Sequence, residues 1–302
     1  MNRTEPRLLA LDIDGTLMDD DGTVPARNVT ILATLRDTGV PVVLSSGRAL
    51  VSIRGVAGDM FPPRETDYYI AFNGALVAGH GRAEPIWTAA LEAAVIREIA
   101  AYARRHALTL QGYRAEEFVV EGDTAESRAY ADNAGMSYRV VEDMAAALPD
   151  GSPKLLAIGE PVELLRHAEA LRSLAGGAVS GGAGDPGPAA RARGGARRAG
   201  GADSTPRFVT TFSKPHYLEI MPPGVTKGEG LRRLCGHLGI PLDAVVAVGD
   251  SLNDLEMLTE AGVGVAVANA REAVKAAADV VTAETAGDAA VAAVVERYFK
   301  VS

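Results

Sequence analysis

Cysteine is nearly absent from this sequence of 302 residues, which contains only Cys235. One cysteine cannot form an intrachain disulfide or a zinc site of several cysteines, and such sparse use is typical of a reducing compartment. Long hydrophobic runs are also missing, because no stretch reaches the roughly 18 apolar residues of a membrane-spanning helix. The charged N-terminal segment lacks the apolar stretch of a signal peptide. We therefore expect a cytoplasmic protein that neither is exported nor spans a membrane.

Positive charge is in deficit. The 30 Lys and Arg residues face 39 Asp and Glu residues, which gives a formal net charge of −9. Because this balance repels nucleic acids and anionic membranes, we expect neither as a partner. The hydrophobic fraction of 47% is typical of folded domains, and the length of 302 residues predicts two of them. These numbers do not bear on the oligomeric state, which stays unknown.

Apolar runs and helical repeats alternate at both ends of the chain. Near the N-terminus, the apolar run Leu8–Leu11 is followed by a helical repeat over Val29–Leu35 and a second run, Val40–Leu44. Near the C-terminus, Val245–Val248 and Val263–Val267 alternate with further helical patterns. Strands that alternate with helices predict a parallel sheet, and hence a Rossmann-like α/β core built from both ends of the sequence.

The middle of the sequence has a different character. Ala89–His106 has a long helical pattern, and Leu108–Tyr113 and Phe118–Val120 are short strand-like runs, which together predict an inserted α+β domain. Residues 176–206 contain 10 Gly and 3 Pro in 31 positions. This composition is typical of low complexity, and it predicts a disordered loop within the insertion.

Two aspartates follow the first predicted strand. Asp12 and Asp14 stand at its C-terminal end beside Gly15, where the chain can turn sharply and where ligands bind in α/β sheets. A lone Asp after a strand more often caps the next turn, but a pair is harder to explain in this way. The segment does not fit a calcium loop, because Leu17 stands where an EF-hand needs glycine. Asp12 and Asp14 are therefore candidate functional residues.

Four short strings resemble the four motifs of the haloacid dehalogenase (HAD) superfamily, in the same order. They are LALDIDGTL (Leu9–Leu17), VVLSSGR (Val42–Arg48), GVTKGEGL (Gly224–Leu231) and GDSLNDLEML (Gly249–Leu258). Two further strings, FNGAL (Phe72–Leu76) and YLEIMPPGVTKG (Tyr217–Gly228), are similar to the Cof-like phosphatases of this superfamily. The resemblance implies a HAD core with an inserted cap domain. It fades in the middle of the predicted cap, and the Gly/Ala/Arg-rich segment is an addition to the family pattern.

The resemblance implies a role for each matching residue. Asp12 would be the nucleophile that is phosphorylated, and Asp14 would be the acid and base that serves the leaving group and the attacking water. Ser46 and Lys227 would bind the phosphate. The remaining substrate-binding candidates are Gly47, Asn73 and Asn253.

Charge favours magnesium as the cofactor. A phosphate monoester is a dianion that repels a carboxylate nucleophile, and Mg²⁺ neutralises such charge with oxygen ligands. The expected ligands are Asp12, the carbonyl of Asp14, and Asp250. Asp254 belongs to the same metal group, where it either holds a metal-bound water or orients Lys227, or else it caps the helix that begins there.

Four local features carry further expectations. Thr226 and Glu229 form a T-x-x-E pattern that predicts a capping box at a helix start. The Asn-Gly pair at Asn73 favours a hairpin turn, whereas the family resemblance places this residue near the substrate. Arg48 either reaches the substrate or fixes its own helix, and we leave it out of the catalytic set. Cys235 lies on the apolar stripe of a predicted helix, where an inert, buried thiol is expected.

These expectations combine into one architecture and one function. The predicted HAD-like core comprises residues 1–84 and 213–302, and the predicted α+β cap comprises residues 85–212, with the loop 176–206 inside it. The predicted activity is the magnesium-dependent hydrolysis of small phosphate monoesters, either sugar phosphates or phosphorylated cofactors, through an aspartyl phosphate. Two alternatives stay open at this point: a sugar phosphomutase of the same superfamily, and a sensor that binds a phosphorylated ligand without turnover.

Overall fold

The structure is a computed structural model that describes residues 4–114, 116–176 and 206–301. These residues form fourteen strands: β1 (Leu8–Asp12), β2 (Val42–Ser45), β3 (Tyr68–Ala71), β4 (Leu76–Gly79), β5 (Trp87–Thr88), β6 (Thr109–Tyr113), β7 (Glu117–Val120), β8 (Ser137–Val140), β9 (Leu155–Ile158), β10 (Val209–Lys214), β11 (Tyr217–Met221), β12 (Val245–Gly249), β13 (Val263–Ala266) and β14 (Val280–Val281). They also form ten α-helices: α1 (Ala26–Asp37), α2 (Leu50–Met60), α3 (Ala93–Arg105), α4 (Ala125–Ala134), α5 (Met144–Ala147), α6 (Pro161–Leu174), α7 (Lys227–Leu238), α8 (Leu255–Glu260), α9 (Glu272–Ala277) and α10 (Ala290–Phe299).

Two expectations from the sequence concern the Gly-rich loop and membrane-spanning helices. The predicted disordered loop, residues 176–206, lies outside the described residues except for Gly176 and Pro206. Within the described ranges, no helix combines the length and the apolar composition that crossing a membrane requires.

Eight strands form the larger sheet, in the spatial order β14-β13-β12-β1-β2-β3-β4-β5. Neighbours from β14 to β3 run parallel, and β4 and β5 are antiparallel additions at one edge. All five residues of β1 are buried, because a strand in the middle of a parallel sheet is covered on both faces. The first crossover places β2 on one side of β1, and the chain returns much later to place β12 on the other side. The predicted α/β class with a parallel sheet is confirmed.

Six strands form a second sheet, in the order β10-β11-β9-β6-β7-β8. Its neighbours are antiparallel except for the pair β7 and β8. This sheet and its helices lie between β5 and α7 in the sequence, as expected for the inserted α+β unit. We call this sheet the cap sheet.

Strand pairing divides the chain near, but not at, the predicted domain boundaries. Trp87–Thr88 pairs with β4 in the larger sheet, and Tyr217–Met221 pairs with β9 in the cap sheet. By strand membership the cap sheet therefore extends to Met221. The boundaries at 84/85 and 212/213 stay a prediction. They were placed from sequence alone, where a short apolar run indicates a strand but does not indicate which sheet that strand joins.

The two faces of the cap sheet contribute to different hydrophobic cores. Val119 and Leu155 belong to a core that also contains residues of α3 and α6. Their sequence neighbours Phe118 and Leu156 belong to the core of the larger sheet. Because successive side chains of a strand point to opposite faces, one face of the cap sheet packs towards the larger sheet. We call this the inner face of the cap sheet.

Candidate active site

Polar residues follow three strands of the larger sheet at the same edge. Asp12 is the last residue of β1 and pairs in register with Ser45 of β2, which directly precedes Ser46. On the other side of β1, strand β12 ends at Gly249, directly before Asp250. In open α/β sheets, ligands bind in the crevice at the carboxyl ends of the strands where the strand order reverses. The topology therefore places Asp12 at the centre of the expected binding site.

Gly15 allows the loop after β1 to lie against Asp250. Its φ is +80°, and a Cβ at this position would lie 2.8 Å from Asp250 Oδ2, so that both the backbone and the contact require glycine. The Thr16 hydroxyl donates to Asp250 Oδ1 at 3.3 Å, and the Ser251 hydroxyl donates to Oδ2 at 2.9 Å. Two segments far apart in the sequence thus share one carboxylate.

The Lys227 ammonium lies between two carboxylates. Its Nζ donates to Asp12 Oδ1 at 2.5 Å and to Asp254 Oδ1 at 2.6 Å. The lysine side chain is only 1% exposed, so these charge-assisted bonds form out of contact with bulk water. Lys227 is the first residue of α7, and the helix start therefore sets the direction from which the ammonium enters the site.

Asp254 is fully buried, and both of its carboxylate oxygens accept hydrogen bonds. One oxygen binds Lys227, and the other accepts the backbone N–H groups of Asp250 at 3.1 Å and Ser251 at 3.0 Å. Ser251 is the N-cap of the short 3-10 turn at Leu252–Asp254, and the Asp254 side chain makes no capping bond to α8. Of the interpretations proposed for Asp254, this geometry favours orientation of Lys227 over capping of α8.

The centre of the site has more negative than positive charge. Asp12, Asp250 and Asp254 each place an oxygen within 4.8 Å of the others, and Lys227 is the ammonium among them. Burial, followed by the Asp254 carboxylate, raises the pKa of Asp12 well above its usual value. Burial and Asp254 also raise the pKa of Asp250. Burial lowers the pKa of Lys227, but Asp12 and Asp254 raise it overall, so the lysine is protonated.

This donor set fits a hard divalent cation. Mg²⁺ prefers carboxylate and carbonyl oxygens, and it would offset the surplus charge of Asp12 and Asp250. Within the described residues no backbone N–H donates to the Asp14 carbonyl, so this oxygen is available as a further ligand. The Asp254 oxygens already bind three N–H donors, which suits a position beside the ion.

The Asp14 side chain binds Arg48, whereas the Asp12 side chain binds Lys227. Arg48 binds it through both oxygens, with Nε donating to Oδ2 at 2.9 Å and Nη2 donating to Oδ1 at 2.5 Å. The pair is partly exposed, with 58% of the Asp14 side chain accessible. The hydrogen bond to Asp14 raises the pKa of Arg48 above its usual value. Arg48, which the sequence analysis left out of the catalytic set, thus contacts a predicted catalytic residue.

The structure brings together the other predicted substrate-binding residues. The buried Ser46 hydroxyl accepts a hydrogen bond from the Arg48 N–H at 3.2 Å. The Ser46 backbone carbonyl accepts one from the Asn73 N–H at 3.0 Å. Gly47 lies against the Asn73 side chain, where a Cβ would be 3.1 Å from Oδ1. Asn253 donates to the same Oδ1 at 2.9 Å. These contacts join the loop after β2 to the 3-10 turn that follows β12.

The hairpin expected at Asn73 is present, but its turn is longer than a two-residue Asn-Gly turn. Residues 72–75 connect β3 to β4. Phe72, Asn73 and Gly74 have φ values of 52°, 54° and 101°, so two residues with side chains adopt the left-handed region. Such strain tends to occur at functional sites, where surrounding contacts hold it in place.

Two residues of the cap that were not among the candidates from the sequence, Lys154 and Glu219, contact Gly47 and Asn73. Glu219 accepts from Asn73 Nδ2 at 3.1 Å, and Lys154 donates to the Gly47 carbonyl at 3.2 Å. Glu219 lies within the string YLEIMPPGVTKG, whose first half could have drawn attention to it. Lys154 lies in the part of the chain where the resemblance fades, and no local pattern singles it out.

The chain is similar to known proteins along most of its length. A family model of haloacid dehalogenase-like hydrolases matches residues 9–177 and 202–295. The 5-amino-6-(5-phospho-D-ribitylamino)uracil phosphatase of Bacillus subtilis is 28% identical over 307 residues, which cover 98% of each chain.

Two solved structures are similar in fold to this protein. A protein of Thermotoga maritima superposes with a TM-score of 0.79 at 30% identity and covers 98% of each chain. A haloacid dehalogenase-like hydrolase of Bacteroides thetaiotaomicron superposes with a TM-score of 0.80 at 26% identity, covering 97% of this chain and 99% of the other.

Proposed function

The chain belongs to the haloacid dehalogenase-like hydrolases, and from this premise we propose that it is a phosphatase that hydrolyses small phosphate monoesters through an aspartyl phosphate on Asp12. The observation that carries the proposal is the buried centre in which Lys227 contacts Asp12 and Asp254, with Asp250 alongside. A nucleophilic carboxylate and a neighbouring fixed cation are what attack on a phosphate dianion requires.

We assign the individual roles that the family resemblance implies. Asp12 attacks phosphorus, and the Lys227 ammonium and the Ser46 hydroxyl stabilise the phosphate oxygens as charge develops on them. Asp14 protonates the departing oxygen and then deprotonates the water that hydrolyses the aspartyl phosphate. Gly47, Asn73 and Asn253 shape the wall of the phosphate pocket.

Magnesium is the cofactor that the donor set suits. We assign its ligands to Asp12, Asp250 and the carbonyl of Asp14, with Asp254 placed beside the ion rather than bound to it. When bound, the ion neutralises the repulsion between the nucleophile and the substrate dianion. The surplus of carboxylate charge around Lys227, described above, supports this assignment.

Asp14 must leave its present partner to act as an acid. Both of its oxygens bind Arg48, so at least one of these bonds has to break before the carboxyl can reach a leaving group. Because the pair is partly exposed, such a rearrangement does not uncover a buried charge. Arg48 therefore holds Asp14 in its resting orientation, and replacing Arg48 should affect proton transfer by Asp14 more than phosphate binding.

The substrate is a sugar phosphate or a phosphorylated cofactor. Lys154 and Glu219 reach Gly47 and Asn73 from the cap, so we expect the leaving group of the substrate to meet cap residues. The full-length relative from Bacillus subtilis is named for a substrate with a phosphorylated ribityl chain. Phosphorylated polyols and sugars are therefore the compounds to test first.

A phosphate-release screen tests this function. We would assay sugar phosphates, phosphorylated cofactors and p-nitrophenyl phosphate with magnesium and after exhaustive chelation, using wild type and Asp12→Asn. We expect release only with wild type and magnesium, since Asn keeps the shape of Asp12 but cannot act as the nucleophile. Equal release by Asp12→Asn, or full activity without a divalent cation, would contradict the proposal.

A further inference from the structure

A second buried ion pair lies outside the catalytic centre, on the cap sheet. Lys154 Nζ lies 2.9 Å from Glu219 Oε1, and the two side chains are only 4% and 3% exposed. Glu219 is in β11, paired in register with Leu156 of β9, and Lys154 directly precedes β9. Burying two charges carries a desolvation cost that the attraction between them often fails to offset. Packing alone would have been satisfied by two apolar residues.

Each member of the pair also binds a residue of the larger sheet's site. Lys154 Nζ donates to the carbonyl of Gly47 at 3.2 Å, and Asn73 Nδ2 donates to Glu219 Oε2 at 3.1 Å. Gly47 follows Ser46 in the loop that we assign to phosphate binding. The pair thus spans the two sheets and ends on the phosphate pocket.

Asn73 connects this pair with the rest of the pocket. Its N–H donates to the Ser46 carbonyl, and its Oδ1 accepts from Asn253. The next residue, Gly74, lies so close to the Thr226 carbonyl that a Cβ there would be 2.0 Å from that oxygen. A shift of Asn73 would therefore reach the loop after β2, the start of α7 and the turn after β12.

We propose that Lys154 and Glu219 are positioning residues, which couple the docked cap sheet to the shape of the phosphate pocket through the Gly47 carbonyl and Asn73. The proposal rests on the proposed phosphatase function. When the cap sheet is docked, Glu219 fixes the Asn73 amide and Lys154 fixes the loop Ser46–Arg48. When it is undocked, both anchors are lost, and the strained turn at Phe72–Gly74 and the loop relax together.

Variants of the pair separate positioning from stability. Lys154→Met and Glu219→Met each leave one buried charge unpaired and should lower the free energy of unfolding, whereas the double variant removes both charges and should recover much of it. If the pair positions the pocket, kcat/KM for p-nitrophenyl phosphate stays at least about tenfold low in the double variant, because the anchors are still missing. If stability and activity recover together, the pair is only structural and the proposal is wrong.

The matched control is a buried ion pair away from the site, between Arg36 and Asp67. Arg36 Nη2 lies 2.8 Å from Asp67 Oδ2, with side chains 2% and 7% exposed. Among the described residues, the other hydrogen bonds of these two side chains go to the Pro62 carbonyl and the Arg64 N–H, which are not site residues. Asp67→Asn should destabilise the fold but leave kcat/KM unchanged at a temperature where the variant is folded. An equal loss of activity in Asp67→Asn would show that activity merely follows stability, which overturns the proposal.

A double-mutant cycle tests whether the effect passes through Asn73. Glu219→Gln and Asn73→Ala should each reduce kcat/KM, and their combination should cost little more than the larger single effect, because the two residues act as a unit. Fully multiplicative losses would mean that Glu219 does not act through Asn73, and would contradict this part of the coupling.

Hydrogen exchange tests the positioning without any turnover. In Glu219→Gln, peptides that cover Ser46–Ile53 and Phe72–Leu76 should exchange faster than in wild type, while Asp67→Asn should leave both peptides unchanged. Unchanged exchange in Glu219→Gln overturns the proposal. Because this readout needs no substrate, it gives a result even if the phosphate-release screen refutes the phosphatase function.

Discussion

Burial decides the chemistry of Cys235, the only cysteine of the sequence. The side chain lies on the inner side of α7 and is 3% exposed, and burial raises its pKa to about 11. A thiol is nucleophilic only as the thiolate, which is scarce at neutral pH when the pKa is so high. The expectation of an inert thiol, drawn from its place on an apolar stripe, is therefore consistent with the structure.

We expect native Cys235 to resist a chromogenic disulfide reagent at pH 8. Reaction should be at least about a hundredfold slower than in denaturant, because both access and ionisation require local opening. Absorbance at full reaction in denaturant should give one thiol per chain and serves as the control. Rapid labelling of the folded protein would show that the thiol is exposed or ionised.

Residues were predictable where a local pattern carries their chemistry. Asp12 and Asp14 stand out because two carboxylates follow a buried strand, and Lys227 because GVTKGEGL resembles the third HAD motif. The pairing of Arg48 with Asp14 and the contact of Glu219 with Asn73 were not predictable. Each joins segments that no local pattern relates, and only the folded topology brings them into contact.

At the scale of elements, the start of α7 shows where a sequence pattern holds in part. The Thr226 hydroxyl accepts the N–H of Glu229 at 3.0 Å, as a T-x-x-E pattern predicts. The Glu229 carboxylate pairs with Arg232 and Arg233 on the same helix instead of returning to the cap. The helix start was thus predictable. The partner of the Glu229 carboxylate was not, because Arg232 and Arg233, three and four residues further along the helix, compete with the N-cap backbone for it.

The turn between β3 and β4, which contacts the start of this helix at Thr226, gives a prediction with a matched control. Gly74→Ala should lower the free energy of unfolding by at least about 2–3 kcal/mol, because φ is 101° and the new Cβ would meet the Thr226 carbonyl at 2.0 Å. Gly236→Ala, within α7 and with nothing within 4 Å, should be neutral or stabilise the fold by about 0.5–1 kcal/mol. Denaturant unfolding measures both. A Gly74→Ala variant as stable as wild type would show that the close contact does not exist.

At the scale of the whole molecule, alternating strands and helices predicted the α/β class, and the different pattern in the middle of the sequence predicted the insertion. They did not predict which sheet Tyr217–Met221 joins, because a short strand-like run does not identify its partner strands. The inner face of the cap sheet was also beyond sequence reasoning. The contacts of Lys154 and Glu219 with Gly47 and Asn73 depend on how the two sheets pack, and the hydrophobic periodicity of a sequence does not indicate that packing.

The Gly-rich segment should be dispensable for folding and for catalysis. The Arg207 N–H donates to the Ala175 carbonyl at 3.1 Å, so the chain on either side of the segment is already close. Replacing residues 177–205 with a short Gly-Ser linker should change the free energy of unfolding by less than about 1 kcal/mol, since this composition offers little apolar surface to bury. Thermal unfolding and kcat/KM for p-nitrophenyl phosphate measure the two effects. A larger loss of stability would show that the segment packs, and loss of activity alone would place it at the site.

The central claim is that catalysis passes through an aspartyl phosphate on Asp12, with Asp14 as the acid and base. The Asp14→Asn variant isolates the intermediate, because nitrophenolate leaves without a proton whereas water still needs a base. We would mix this variant with p-nitrophenyl phosphate and magnesium, follow the first turnover, quench with acid and map the phosphate by peptide mass spectrometry. We predict a burst of about one nitrophenolate per enzyme, then a stall, with the phosphate on the peptide that contains Asp12. Steady release with no burst, and no phosphate trapped on that peptide, would contradict the claim.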